Sequence, residues 1–193
     1  MAGLPLRACG LLFVTLAASC AAAPRAEPAR GNLFASIRIT ESAFKGPIRD
    51  KQGFFFYLHE EPGVAGPMLE GYEFRNGKQV DEFGGGSESA GVIEAIRKAG
   101  LTPFDFKREV EEITARLQRE ATARGESFIG PQARDGAEWE IVIATESGPF
   151  TLRAWNPRGA IDQYAQYSKN IAKLKTVLDL LAQYYGQLKL GPS

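Results

Sequence analysis

Glu138-Trp139-Glu140-Ile141-Val142-Ile143-Ala144-Thr145-Glu146-Ser147-Gly148-Pro149-Phe150-Thr151-Leu152-Arg153-Ala154-Trp155 reads as two strands around a tight turn. Trp139, Ile141 and Ile143 alternate with other residues, as do Phe150, Leu152 and Ala154, and a period of two marks strands with one buried face. Setting Ile143 opposite Phe150 places Ile141 opposite Leu152 and Trp139 opposite Ala154 on the inner side. The same register puts Glu140 opposite Arg153 on the outer side, and Trp155 also falls there. After Asn156-Pro157 the period lengthens. Tyr164, Tyr167, Ile171, Leu174, Leu178, Leu181 and Tyr185 follow at steps of three and four, the stripe of an amphipathic helix. As one helix over 160–185 it would run about 39 Å, enough to cross a sheet of five or six strands. Its 3.5-residue repeat would also allow pairing with another helix or a second chain.

Moving towards the N-terminus, Leu33, Ala35, Ile37 and Ile39 alternate as a half-buried strand. Phe54 to His59 is apolar on both faces, which suits a central strand. Leu69 to Arg75 and Lys78 to Phe83 flank Asn76-Gly77, a strong hairpin signal. Gly84-Gly85-Gly86-Ser87 breaks the sheet, and Val92, Ile93 and Ile96 give a short helix stopped by Gly100. Thr102 followed by Pro103 predicts the start of another helix, carrying Phe106, Val110, Ile113, Leu117 and Ala121 and ending before Gly125. The expected class is α+β: a mostly antiparallel sheet of about six strands with three helices on one face, the last one long. One domain over 32–193 is expected from the length.

The leader is a separate signal. Arg7 precedes an apolar run, Leu11 to Ala18, which is too short to span a bilayer, so residues 1–19 read as an export signal peptide. Leu16-Ala17-Ala18-Ser19-Cys20 resembles the lipobox of bacterial lipoproteins, with Ala17 where those motifs prefer leucine. The resemblance implies cleavage before Cys20 and lipidation of that cysteine. It also implies outer-membrane placement, because Ala21 rather than aspartate follows. Ordinary cleavage near Ala21 or Ala23 would instead give a soluble periplasmic or secreted protein. Residues 20–31 then form an Ala/Pro tether. Beyond the leader the chain carries 22 basic and 23 acidic side chains, a formal charge of −1. That balance lacks the basic excess of a nucleic-acid binder.

Signals for chemistry are sparse. His59 is the one histidine, and glycine at position 63 removes a second zinc ligand four residues on. Ser87 and Ser89 lie in a glycine-rich turn, but Ser87 stands where Ser89 would need the first glycine of a nucleophile elbow. The same glycines before a helix would suit an anion. The carboxylates Glu60, Glu61, Glu70, Glu73, Asp81 and Glu82 read as solvated strand faces. No catalytic residue, metal site or cofactor is called for. The grouping that suits recognition is Tyr72, Trp155, Tyr164, Tyr167, Tyr184 and Tyr185 with Arg153, Lys169 and Asn170. Within it Arg153, Trp155, Tyr164 and Tyr167 are the expected binding surface. The sequence therefore predicts an exported, lipid-anchored envelope protein. It would act as a non-catalytic interaction domain for a protein partner, in an immunity-type or assembly-accessory role. The alternatives are a carboxylate-based hydrolase of envelope glycans and a small-molecule binding module, with the ligand between sheet and long helix.

Overall fold

The computed structural model describes residues 32–41, 49–60, 62–84, 89–131 and 137–186. The signal peptide, Cys20, the tether and Ser87 lie outside the described residues. The strands are β1 (Asn32–Glu41), β2 (Arg49–His59), β3 (Met68–Arg75), β4 (Lys78–Gly84), β5 (Glu138–Ile143) and β6 (Phe150–Trp155). The helices are α1 (Ser89–Ala99), α2 (Phe106–Ala123), α3 (Pro157–Tyr164) and α4 (Lys169–Tyr185). The class is α+β, as the patterning predicts. All six strands form one antiparallel sheet in the order β4-β3-β2-β1-β5-β6.

The β5–β6 register is the one read from the alternation, with Ile143, Ile141 and Trp139 opposite Phe150, Leu152 and Ala154. Across β1 the same face continues through Ala35 and Ile37 to Phe56 and Phe54. Apart from the half-buried Ala154, these residues are almost fully buried and share one cluster with side chains from all four helices. The described helices thus cover one face of the sheet. The opposite face carries a smaller aromatic cluster, Tyr57, Tyr72 and Phe74 with Phe55. Tyr57 and Tyr72 meet edge-to-face at 6.0 Å, and Phe55 and Phe74 at 5.1 Å. Tyr72 therefore faces away from the helices.

Three details of the helices differ from the sequence reading. Among the described residues there are four, because the expected 160–185 helix is broken. Ser168 is extended (φ −138°, ψ 127°), and its hydroxyl accepts from the Ile171 amide at 3.1 Å, so it caps a new helix. The same hydroxyl donates to Glu109 of α2, and Asn170 Nδ2 donates to the other Glu109 oxygen at 3.1 Å. The break is thereby held by a neighbouring helix. At 17 residues α4 is about 25 Å long, close to the width of roughly 24 Å that six strands span. Finally, α2 starts at Phe106 rather than Pro103. Asp105 caps it by accepting from the Arg108 amide, while Phe104 stacks on Phe150 at 5.0 Å. That contact takes up the residues expected to open the helix.

The break also lets α3 and α4 be cross-linked by charge. Arg158 binds Asp162 at 2.8 Å and Asp179 at 3.0 Å, and Lys175 binds the same two aspartates. Burial would push the Asp179 carboxyl up, but the hydrogen bonds from Lys175 and Arg158 hold it below the ordinary aspartate value. Among the described residues no helix is long and apolar enough to cross a membrane.

Candidate functional site

The four residues expected to form a binding surface are not gathered in one place. Arg153 and Trp155 lie on the outer face of β6, an edge strand. Arg153 pairs with Glu138 through two hydrogen bonds, 2.8 and 2.9 Å, rather than with Glu140 directly opposite it. Its long side chain reaches along the strand to the diagonal neighbour, and Glu140 instead comes within 4.0 Å of Arg38 on β1. Trp155 is 42% exposed. Tyr164, by contrast, is fully buried in the helix layer, its hydroxyl 2.8 Å from that of Thr114 on α2. Tyr167 is exposed in the α3–α4 turn beneath the Arg116 guanidinium, 5.9 Å from its ring centroid.

The polar groups that do converge hold the fold. Tyr184 and Tyr185 occupy the last turn of α4 and reach β3 on two sides. The Tyr184 hydroxyl donates to the Leu69 carbonyl at 2.6 Å and lies 2.9 Å from Ser89 Oγ. Ser89 is buried beneath it, so this candidate nucleophile faces the interior. The Tyr185 hydroxyl donates to Glu73, which also accepts from Arg75 and from Gln52 Nε2. The Glu73 side chain is only 4% exposed. Burial pushes its carboxyl up, but hydrogen bonds from Tyr185, Arg75 and Gln52 outweigh that and leave it below the ordinary glutamate value. Burial and the adjacent carboxylate push the Tyr185 hydroxyl well up. Asp81, opposite Glu73 on β4, comes within 3.4 Å of the same hydroxyl. Sequence reasoning placed Glu73 on a solvated face. The missed signal was parity, since Leu69, Gly71 and Glu73 share one face of β3.

On the other side of the sheet His59 Nε2 lies 3.3 Å from Glu70, whose second oxygen accepts from Tyr72. Among the described residues no group of three His, Cys, Asp or Glu side chains is placed to hold a metal ion.

A cavity of about 460 Å³ lies at the end of the sheet where β1 begins. Phe34, Leu58 and Ile143 supply its sheet side, and Ile96 and Leu101 come from α1 and the connection after it. A register irregularity between Leu33 and Ala35 carries Phe34 into the core, where its carbonyl accepts from the Ala144 amide at 2.7 Å. Gly100, at φ +63°, turns the chain off α1 and so shapes the rim. Around that rim stand Arg97, Thr102, Thr145, Glu146 and Ser147. Arg97 also borders a second recess of about 240 Å³, beside Pro67, Ala90 and Glu94.

The chain matches no family model, no curated protein and no solved structure.

Proposed function

We propose that this is an exported, lipid-anchored envelope protein whose domain binds a small ligand without transforming it. The observation that carries the reading is the cavity of about 460 Å³, which falls in the range of roughly 300–1,000 Å³ for small-molecule sites. Its composition also fits such a site, an apolar interior with a few polar groups at the mouth. It lies beside α1 and not under the long helix, where Ile171, Leu174, Val177, Leu178 and Leu181 are fully buried.

Two measurements test the two halves of this reading. The full chain carrying Cys20→Ala should lose incorporation of radiolabelled palmitate and move to the soluble envelope fraction. Unchanged labelling would remove the lipoprotein half. For the binding half, anilinonaphthalene sulfonate should bind the Cys20→Ala chain at micromolar concentration. A large side chain placed in the mouth, Thr102→Trp or Ser147→Trp, should weaken that binding at least tenfold, roughly the effect of losing one well-filled contact region. Both positions are exposed, so folding is retained. Equal binding by all three chains would place the dye elsewhere and end the cavity reading.

A second reading, recognition of a protein partner, rests on Trp155. It is a large exposed aromatic at the end of an edge strand, beside the Arg153–Glu138 pair. An envelope pull-down should recover a partner with the parent chain and lose most of it with Trp155→Ala. Identical recovery by both would count against this surface. For the hydrolase alternative, Glu73 and Asp81 approach one another at Tyr185, but Glu73 there is buried rather than open to a cleft.

A further inference from the structure

We propose that the ligand of the β1-end cavity is a single-chain amphiphile, an acyl tail carrying a head with both a phosphate and an ammonium group. This deepens the binding reading above and rests on it. The interior of the cavity offers Phe34, Leu58, Ile96, Leu101 and Ile143, an apolar surface with no charged side chain among them. Burying methylenes there is favourable in proportion to the chain length enclosed. The two charged side chains at the rim have opposite signs, Arg97 from α1 and Glu146 from the β5–β6 turn. No ion pair ties either of them among the described residues, in contrast to the paired Arg153, Arg158 and Lys175. Arg97 stands in the last turn of α1, and its guanidinium presents the planar donor fork that suits a phosphate. Glu146 is the acceptor for an ammonium. The hydroxyls of Thr102 and Ser147 lie on the same rim and can complete hydrogen bonds to head-group oxygens. A purely anionic head would leave Glu146 repelling it, and an uncharged head would use neither side chain.

Position supports the same class of ligand. The cavity opens at the end of the sheet from which the chain leads back to Cys20, and two of the large exposed apolar residues, Leu33 and Val64, belong to that end. Eleven residues separate Cys20 from β1, a reach of at most about 40 Å when fully extended. A lipid anchored at Cys20 would keep this end of the domain within about 40 Å of the bilayer, where single-chain phospholipids are found.

The test displaces anilinonaphthalene sulfonate from the full Cys20→Ala chain with four C12 amphiphiles below their micelle concentrations: lysophosphatidylethanolamine, lysophosphatidylglycerol, dodecanoate and dodecanol. The expected order has lysophosphatidylethanolamine tightest, about tenfold or more better than dodecanol. Arg97→Ala should weaken it about tenfold, and Glu146→Ala should remove its advantage over lysophosphatidylglycerol. Both side chains are exposed, so neither change threatens folding. Dodecanol competing equally well, or Arg97→Ala leaving the affinities unchanged, overturns the head-group assignment. Lysophosphatidylglycerol or dodecanoate binding at least as tightly as lysophosphatidylethanolamine overturns the ammonium part of it. Failure of the dye to enter the cavity at all belongs to the earlier reading, because that step precedes any competitor and depends on none of them.

Discussion

Gly84→Ala is expected to destabilise the domain by about 3 to 5 kcal/mol. Gly84 closes β4 with φ at +99°, a region that an L side chain occupies only under strain. An added Cβ would also stand 2.5 Å from the Leu69 carbonyl oxygen and 2.6 Å from the Tyr184 hydroxyl. The first obstacle is backbone in the paired strand and cannot rotate away. The second is the hydroxyl that ties α4 to Leu69 and Ser89, so relief there breaks the tie. For a domain of this size each kcal/mol lowers the melting temperature by roughly 2 to 4 °C, so a drop of roughly 6 °C or more is expected in a thermal scan. A change below 2 °C would mean that the close approach at Gly84 does not exist in solution. Gly63→Ala is the control, since a Cβ there meets nothing within 4 Å although its φ of +92° is similar. Comparing the two separates backbone strain from contact.

Tyr185→Phe should cost about 1.5 to 3 kcal/mol at neutral pH, the worth of a hydrogen bond to a buried charged group. The ring still fills its place against Phe54, 5.2 Å away, so the loss isolates the hydroxyl. Adding Glu73→Leu should recover only part of the loss, because it removes the buried carboxylate left one donor short but also takes the acceptor from Gln52 and Arg75. The pH dependence has a definite sign. Glu73 is held below the ordinary glutamate value of 4.5 in the folded chain. Its contribution is therefore complete above the unfolded value and disappears as the pH falls through the depressed folded one. The parent and Tyr185→Phe curves should be furthest apart near neutrality and converge as the pH falls below the ordinary glutamate value. Denaturant midpoints measured from pH 3 to 7 check this, and a constant gap across that range would show that Tyr185 does not act through ionised Glu73.

How much of this was legible in the sequence follows from the reach of each signal. The strands and the β5–β6 register were readable because Ile141, Ile143, Phe150 and Leu152 alternate within a few residues of one turn. The break at Ser168 was not, since the stretches on either side of it are both amphipathic and their stripes run into one another at Tyr164 and Ile171. What decides the break is Glu109, which is 59 positions away from Ser168. Tyr72 and Tyr164 were both grouped with exposed aromatics because composition carries no information on which face the helices cover. The cavity was beyond sequence reasoning for a similar reason. Its residues come from the ends of β1, β2, α1 and β5 and from two connections, none of which carries a local motif. Arg97 and Glu146 become a pair of rim charges only once Gly100 has turned the chain and the β5–β6 turn has closed.

The strand order carries one more consequence, for the route by which the chain reaches this state. β1, β2, β3 and β4 can pair as soon as residue 84 has emerged, but β1 then remains a bare edge until β5 arrives. Thr40 and Glu138, joined by a hydrogen bond across that seam, are 98 positions apart. The apolar face of Ile37, Phe54 and Phe56 has to wait longer still, for α4. Contacts of such long sequence separation form slowly. The complete sheet and its helix cover can therefore close only when nearly all of the chain has been made. For export as proposed above, that delay is useful. The closing step is then the docking of the final turn of α4, when Tyr184 and Tyr185 reach back to a strand made more than a hundred residues before them.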